Sequence, residues 1–539
     1  MLESAAVQGK PGRDPGTWTR RLAAAAAVAA IVTLAPRPGA ADPAQFLPVG
    51  DPIEDELRLL DLYPARELQG RLHLPHLGTR PLQLFEIMGN APPVQGARPA
   101  MALSIARIER VLGRDPAEWF APDSAHPATP RFFERTVSDQ IAEASFGLEG
   151  TLLSRKEDAG SAVVSGSGVH ARFALGFDHW LAYSHQVLGR FAGGQRFADP
   201  VVTNTDIIVL TEETYLAWTS PSRRWAAAFG RNRWQWGPGQ EGSLVLSRTA
   251  APVTGLTMRG TLNAYRLTGM VLNATLRQSA GEQLGAHRIE WQPLEGLRIG
   301  GTEAVRYRST AWSWAFGIGV LPYAVAGRLL TQDEPDSGAA LRNNIITAID
   351  ASWRVAPGHR VYGEFAVDDL HAATSQNPNK IAWQLGWEGA GMVGRHRLTW
   401  GGEVTRLWRY VYTSFFGRAH EAQDRPLGFP TGPDSRRLRV RAAWDPSENW
   451  QWTARATRTD RGENALDEPY FPGAPRPDGS TFEGVVERTR EVELGLRWWP
   501  AGGVDLAARG AWRRIDQRDH VPGVRAEDWI AALEVHLVR

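Results

Sequence analysis

From residue 145 to the end, the chain repeats arms that change character at every second residue, and the connections between those arms are short and long in turn. The pattern is plainest at 437–458. Leu438, Val440, Ala442 and Trp444 alternate with Arg437, Arg439 and Arg441, and Asp445-Pro446-Ser447-Glu448-Asn449 supplies a turn. Trp450, Trp452, Ala454 and Ala456 then alternate with Gln451, Thr453, Arg455 and Thr457. A period of two on both sides of a turn is a β-hairpin with one apolar face and one guanidinium-rich face. The same period runs through 297–308, 361–368, 491–498, 504–513 and 529–537. Short connections fall at 219–222, 293–296, 356–359, 445–449 and 500–503, and long ones at 235–252, 309–343, 370–380, 414–435, 459–487 and 516–527. A soluble sandwich has no reason to sort its connections by length. A bacterial outer-membrane barrel does, with tight periplasmic turns and long outer loops. The expected fold is therefore an all-β transmembrane barrel of about 18 antiparallel strands. Its apolar faces meet lipid, its Trp residues sit at the interfaces and its Arg faces line a wet lumen.

Composition agrees where it speaks. The 539 residues carry 22 Trp, no Cys and a formal charge of +1. Missing Cys excludes disulfides, thiolate metal sites and cysteine nucleophiles, and the balanced charge argues against a nucleic-acid partner. Lys10, Lys156 and Lys380 are the only lysines, so the cations are nearly all Arg, the residue that grips carboxylates with two parallel bonds. Residues 1–41 read as a signal peptide: Arg20 and Arg21 precede the apolar run 22–35, with Gly39-Ala40-Ala41 before the expected cleavage point. Residues 42–144 read as a small periplasmic helical domain and 145–539 as the barrel. Helices are expected after Asp51-Pro52, near 82–88, over 100–112 and over 131–144.

Several stretches resemble the Wzi-type capsule assembly proteins of the outer membrane. They are Gly230-Arg231-Asn232-Arg233-Trp234-Gln235-Trp236-Gly237-Pro238-Gly239, Ser243-Leu244-Val245-Leu246-Ser247 and His287-Arg288-Ile289-Glu290, followed by Gly301-Thr302-Glu303-Ala304-Val305, Tyr362-Gly363-Glu364-Phe365 with Asp368-Asp369, and Arg425-Pro426-Leu427-Gly428-Phe429-Pro430-Thr431-Gly432-Pro433-Asp434-Ser435. They follow the family's order along most of the barrel. The C-terminus departs from it, ending Leu537-Val538-Arg539 where such barrels usually end on an aromatic residue. The resemblance implies a non-enzymatic role, helping capsular or related exopolysaccharide attach to and organise on the cell surface. The partners it implies are such a polymer, acidic in the Arg-rich reading, together with outer-membrane lipid and the polysaccharide export machinery. No cofactor or metal is implied.

Sugars stack on aromatic faces and bond to planar polar groups. Arg231, Arg233, Trp234, Trp236 and Gln240 bring those types together at the outer end of one arm, and Asp424 and Arg425 add charge on a Gly/Pro-stiffened loop. These seven residues are the candidate polysaccharide site. Trp234 and Trp236 fit an interfacial girdle equally well. The inward charges Arg437, Arg439, Arg441, Arg455, Glu491, Glu493, Arg509 and Glu534 read as a paired ladder filling the lumen, or else as a ligand path. Two other functions stay open: a sugar- or ion-selective channel, and a hydrolase using His420 or His371. Gly237-Pro238-Gly239-Gln240-Glu241-Gly242 has the spacing of a dinucleotide loop but no helix to follow it. The adjacent pairs Glu212-Glu213 and Asp368-Asp369 point to opposite faces of a strand, so neither can flank one glycosidic bond.

Overall fold

The computed structural model describes residues 46–47, 52–64, 77–83, 99–112, 140–157, 160–177, 179–190, 208–222, 224–317, 319, 321–330, 343–372, 375–415, 417–471, 476–500 and 504–537. Eighteen strands form a closed antiparallel meander. They are β1 Gln140–Glu157, β2 Gly160–Phe177, β3 Trp180–Arg190, β4 Ile208–Thr219, β5 Trp225–Asn232, β6 Val253–Leu262, β7 Leu267–Arg277, β8 Glu282–Leu294, β9 Leu297–Arg308, β10 Asn344–Ala356, β11 His359–Asp369, β12 Lys380–Val393, β13 His396–Leu407, β14 Ser435–Ser447, β15 Trp450–Arg461, β16 Glu487–Trp498, β17 Val504–Asp516 and β18 Arg525–Leu537. Each pairs with its neighbours in sequence, and β18 closes on β1 in the register Leu537↔Phe146.

The faces are those of a barrel in lipid. Outward positions carry exposed large hydrophobic side chains, among them Leu438, Val440, Trp444, Trp452 and Leu494. Water would not tolerate so continuous an apolar surface, whereas a bilayer requires it. Trp291, Trp353, Trp387, Trp444 and Trp452 form an outward girdle near the short-turn end. Among the described residues no helix is long and apolar enough to cross a membrane.

Among the described residues two helices precede the barrel, α1 Pro52–Leu60 and α2 Pro99–Leu112. Proline in the first turn suits both, since its missing N–H is one that helix starts leave unbonded. Ile53, Leu57 and Leu60 of α1 pack on Met101, Ile105 and Ile108 of α2. Two expected helices differ from this structure. β1 starts at Gln140, so 140–144 is strand and not the end of a helix. Ala142 and Ala144 suit either period, which left that stretch open to a helical reading. Leu82–Gln83 is also extended, paired with Phe46–Leu47. The expected signal segment 1–41, with 84–88 and 131–139, lies outside the described residues.

Candidate functional site

Eighteen strands enclose a bore that wall side chains alone cannot fill. Here one side of it is filled by chain entering from both ends. From the short-turn end come α1 and residues 77–83; from the long-loop end, the connection 233–252 folds inward. They meet in mid-lumen, where Thr79 and Arg80 pair antiparallel with Trp236 and Gln235.

Each incoming segment is tied by buried charge. Arg397 on β13 is fully buried and bonds both carboxylate oxygens of Glu56 at 2.9 Å and Asp445 at 2.6 Å. Arg107 of α2 reaches the same two acids at 2.8 Å each. Asp61, just past α1, takes Arg298 at 2.7 Å and Arg360 at 2.9 Å. Burial opposes the Asp61 charge, but the guanidinium groups of Arg298, Arg360 and Arg354 prevail and lower its pKa to about 2. Arg58 bonds Glu388 at 2.7 Å and the Pro238 carbonyl at 2.8 Å, linking helix, wall and loop.

The loop 233–252 leaves its strand partners and so must find others for its backbone groups. Wall carboxylates receive its N–H groups: Gln240 N–H donates to Glu403 at 2.8 Å and Leu244 N–H to Glu364 at 3.1 Å. Arg80 donates to the carbonyls of Gly237 and Gly239 at 3.1 Å each. Glycine permits this closeness. Gly237 has φ +141°, and a Cβ on Gly239 would lie 2.0 Å from the Gly242 carbonyl oxygen and 2.3 Å from the Gln384 side chain. Gly239→Ala is therefore expected to cost about 1–3 kcal/mol in seating the loop, read as faster proteolysis within 233–252 while the barrel stays folded.

A second layer, 408–434, lies over the first. Tyr412 donates its hydroxyl hydrogen to the Leu244 carbonyl at 2.6 Å, and the Ser247 N–H donates to the Leu427 carbonyl at 2.8 Å. His420 Nε2 lies 2.7 Å from the Val245 carbonyl. Burial pushes the His420 pKa down to about 4, so the neutral ring serves as a tie between the two loops.

The seven candidate residues separate on this frame. Trp234 and Trp236 lie inside the loop's apolar core with Leu244, Val245, Leu246, Tyr412 and Phe429, and Trp236 is fully buried. They are not in the outward girdle, and in this arrangement neither ring offers a face to a polymer. Arg231 donates to the Thr211 carbonyl at 2.9 Å, and Arg233 is held by Glu212 at 2.5 and 2.9 Å. Gln240 is buried against Glu388 and Glu403. Asp424 stands on the outer surface at the tip of a small hairpin, Glu421–Ala422 against Arg425–Pro426, where Gln423 and Asp424 both have positive φ. Arg277 reaches Asp424 at 3.9 Å. Sequence reasoning missed the exposed Phe415 and Phe471, which meet edge to face at 5.4 Å between centroids across two outer loops. Apolar aromatics inside long polar loops were the available signal.

The inward charges are partly a wall ladder and partly docking points. Arg455 pairs with Glu493 and Arg513 with Glu491, each at 2.7 Å. Arg437 and Arg439 instead hold Glu241 of the inward loop, and Arg441 lies 3.5 Å from Asp55 of α1. Beside β14–β18 a cavity of about 340 Å³ remains, lined by Arg441, Arg455, Arg497, Arg509, Glu493 and Glu534 among others. Among the described residues no cluster of three or more His, Asp or Glu is placed to hold a metal ion.

No family model and no curated protein matches the sequence. Among solved structures the chain superposes on Escherichia coli Wzi, an outer-membrane protein involved in group 1 capsule assembly and a carbohydrate-binding β-barrel. The TM-score is 0.60 at 15% identity, over 92% of this chain and 100% of that one. The chain has the Wzi fold. It also aligns with OccAB1 of Acinetobacter baumannii (TM-score 0.41, 9% identity, covering 74% of this chain and 97% of that one) and OprD of Pseudomonas aeruginosa (TM-score 0.38, 10% identity, covering 74% and 96%). The closed barrel, with its apolar outward face and Trp girdle, is built for an outer membrane.

Proposed function

We propose that this Wzi-type barrel is a non-enzymatic anchor that holds capsular or related exopolysaccharide at the cell surface and helps its assembly there. The observation that carries the reading is a lumen occupied on one side by chain from both ends, beneath outer loops locked in two layers as a rigid platform. Phe415 and Phe471 give that platform two exposed aromatic faces, and Arg277, Asp424 and Arg425 stand on the same outer side as polar contacts for a sugar chain. Binding of carbohydrate by Wzi, which has the same fold, is consistent with this role. A hydrolase needs an accessible ring, which His420 does not offer. His420 is buried between loops, Asp368 accepts the Tyr412 N–H at 2.8 Å and Asp369 pairs with Lys380 at 2.6 Å.

The test is polymer partition in a deletion strain, cell-bound against shed, with total polymer measured. The expected result is unchanged synthesis with polymer lost to the medium; unchanged retention refutes the role. In vitro, Phe415→Ala/Phe471→Ala is expected to weaken binding of the purified polymer roughly tenfold, about 1.4 kcal/mol, as measured by calorimetry.

A channel is the second reading, and the Arg-lined cavity beside β14–β18 is the observation that favours it. Steady, anion-selective current from the unmodified protein in planar bilayers would support it over anchoring.

A further inference from the structure

The outer rim of β14–β18 and β1 carries a patch of cations on the lipid-facing side. Outward positions along β14 run Trp444, Ala442, Val440 and Leu438 from the short-turn end, and the next is Arg436. Eight residues at about 3.4 Å each on a strand tilted about 40° rise roughly 20 Å, most of an apolar band about 25 Å tall. Arg436 therefore stands at the outer headgroup level. On β17 and β18 the paired Trp512 and Trp529 mark the same interface, and two residues beyond them Arg514 lies opposite Glu527.

Strand register makes the patch continuous. Arg458 lies opposite Arg490, and Arg490 opposite Arg514, so three guanidinium groups stand side by side on adjacent strands. Like charges placed directly opposite repel. The acids of the patch are shared and lie low. Asp460, with its side chain 3% exposed, serves both Arg436 at 2.6 Å and Arg458 at 3.1 Å, whose side chains are about half exposed. Asp516 serves Arg490 at 3.7 Å, Arg514 at 3.1 Å and Arg525 at 3.5 Å. Asp460 thus answers two cations and Asp516 three, Glu527 lies in register between Arg514 and Lys156, and exposed Arg488 adds to the positive excess.

We propose that this row, centred on Arg458, Arg490 and Arg514, binds the phosphate groups of the phosphorylated glycolipid of the outer leaflet. Arg grips phosphate through two parallel hydrogen bonds, and basic residues at the headgroup level recognise anionic lipid. The site lies on the side that meets acyl chains, directly beyond the Trp pair. Its lipid-facing position favours the glycolipid over a soluble polysaccharide.

The test uses the full-length protein, delipidated in detergent and offered bisphosphorylated lipid A, dephosphorylated lipid A or soluble polygalacturonate. Bound glycolipid is counted by native mass spectrometry, and folding is checked by the heat-dependent gel shift of the barrel. The unmodified protein is expected to retain the bisphosphorylated form through detergent exchange and to release the dephosphorylated form. Arg458→Gln/Arg490→Gln/Arg514→Gln is expected to lose at least about tenfold in retention, while the triple Arg→Lys variant keeps most of it because charge remains. Equal retention of the two glycolipids by the unmodified protein overturns the proposal, even should the Gln variant fail to fold. So does a folded Gln variant that loses polygalacturonate and keeps the glycolipid.

Discussion

Asp61→Ala leaves the guanidinium groups of Arg298 and Arg360 buried together without their shared carboxylate. Removing one partner of a buried ion pair costs about 3–5 kcal/mol, and here the loss falls on docking of α1 rather than on the strand ladder. The expected result is rapid protease cleavage and fast hydrogen exchange in 52–64, with the barrel still resistant to cold detergent. Protection equal to that of the parent protein would refute the docking role. The same pair sets a pH dependence. The folded pKa of Asp61 is depressed to about 2, so its contribution is complete above the unfolded value of about 3.9. It is lost as pH falls through about 2. A shift of this size is worth about 2–3 kcal/mol, so protection of 52–64 should hold at pH 5 and collapse between pH 4 and pH 2.

Replacing 237–243 with two glycines is expected to raise ion conductance in planar bilayers far above that of the parent protein. The deletion removes backbone that fills one side of the bore and frees Glu403 and Gln384 from the bonds they now make to it. A barrel of this strand number holds an aqueous channel when nothing blocks it. Unchanged current would mean that α1 and the upper layer 408–434 close the bore by themselves.

The barrel was legible in the sequence because its signals are local. Period-two arms, turn chemistry and the alternation of loop lengths each need only a dozen residues, and the paired Trp444 and Trp452 stand at the end the hairpin reading put them. Helix α1 was legible through its Pro start, and both helices through their apolar spacing. The interior was not. Trp234 and Trp236 in a setting of Arg, Gln and Gly have the same composition whether they stack on a sugar or fill a lumen. What decides is Glu364, Glu403 and Gln384, which lie more than a hundred residues away in sequence and across the bore in space. Gly237, Gly239 and Gly242 were the local hint, since glycines so dense mark backbone that another surface approaches closely. Phe415 and Phe471 were obscured in the opposite way: an apolar ring in a long loop gives no sign of which side it faces.

The two-residue pairing of Thr79 and Arg80 with Trp236 and Gln235 joins a segment reaching in from the short-turn end to one anchored at the long-loop rim. Neither can withdraw without breaking the other's hydrogen bonds, so their docking equilibria are coupled along the barrel. Whatever coupling free energy a ligand of the outer layer gains from the docked segment 77–83, that segment gains in return from the ligand.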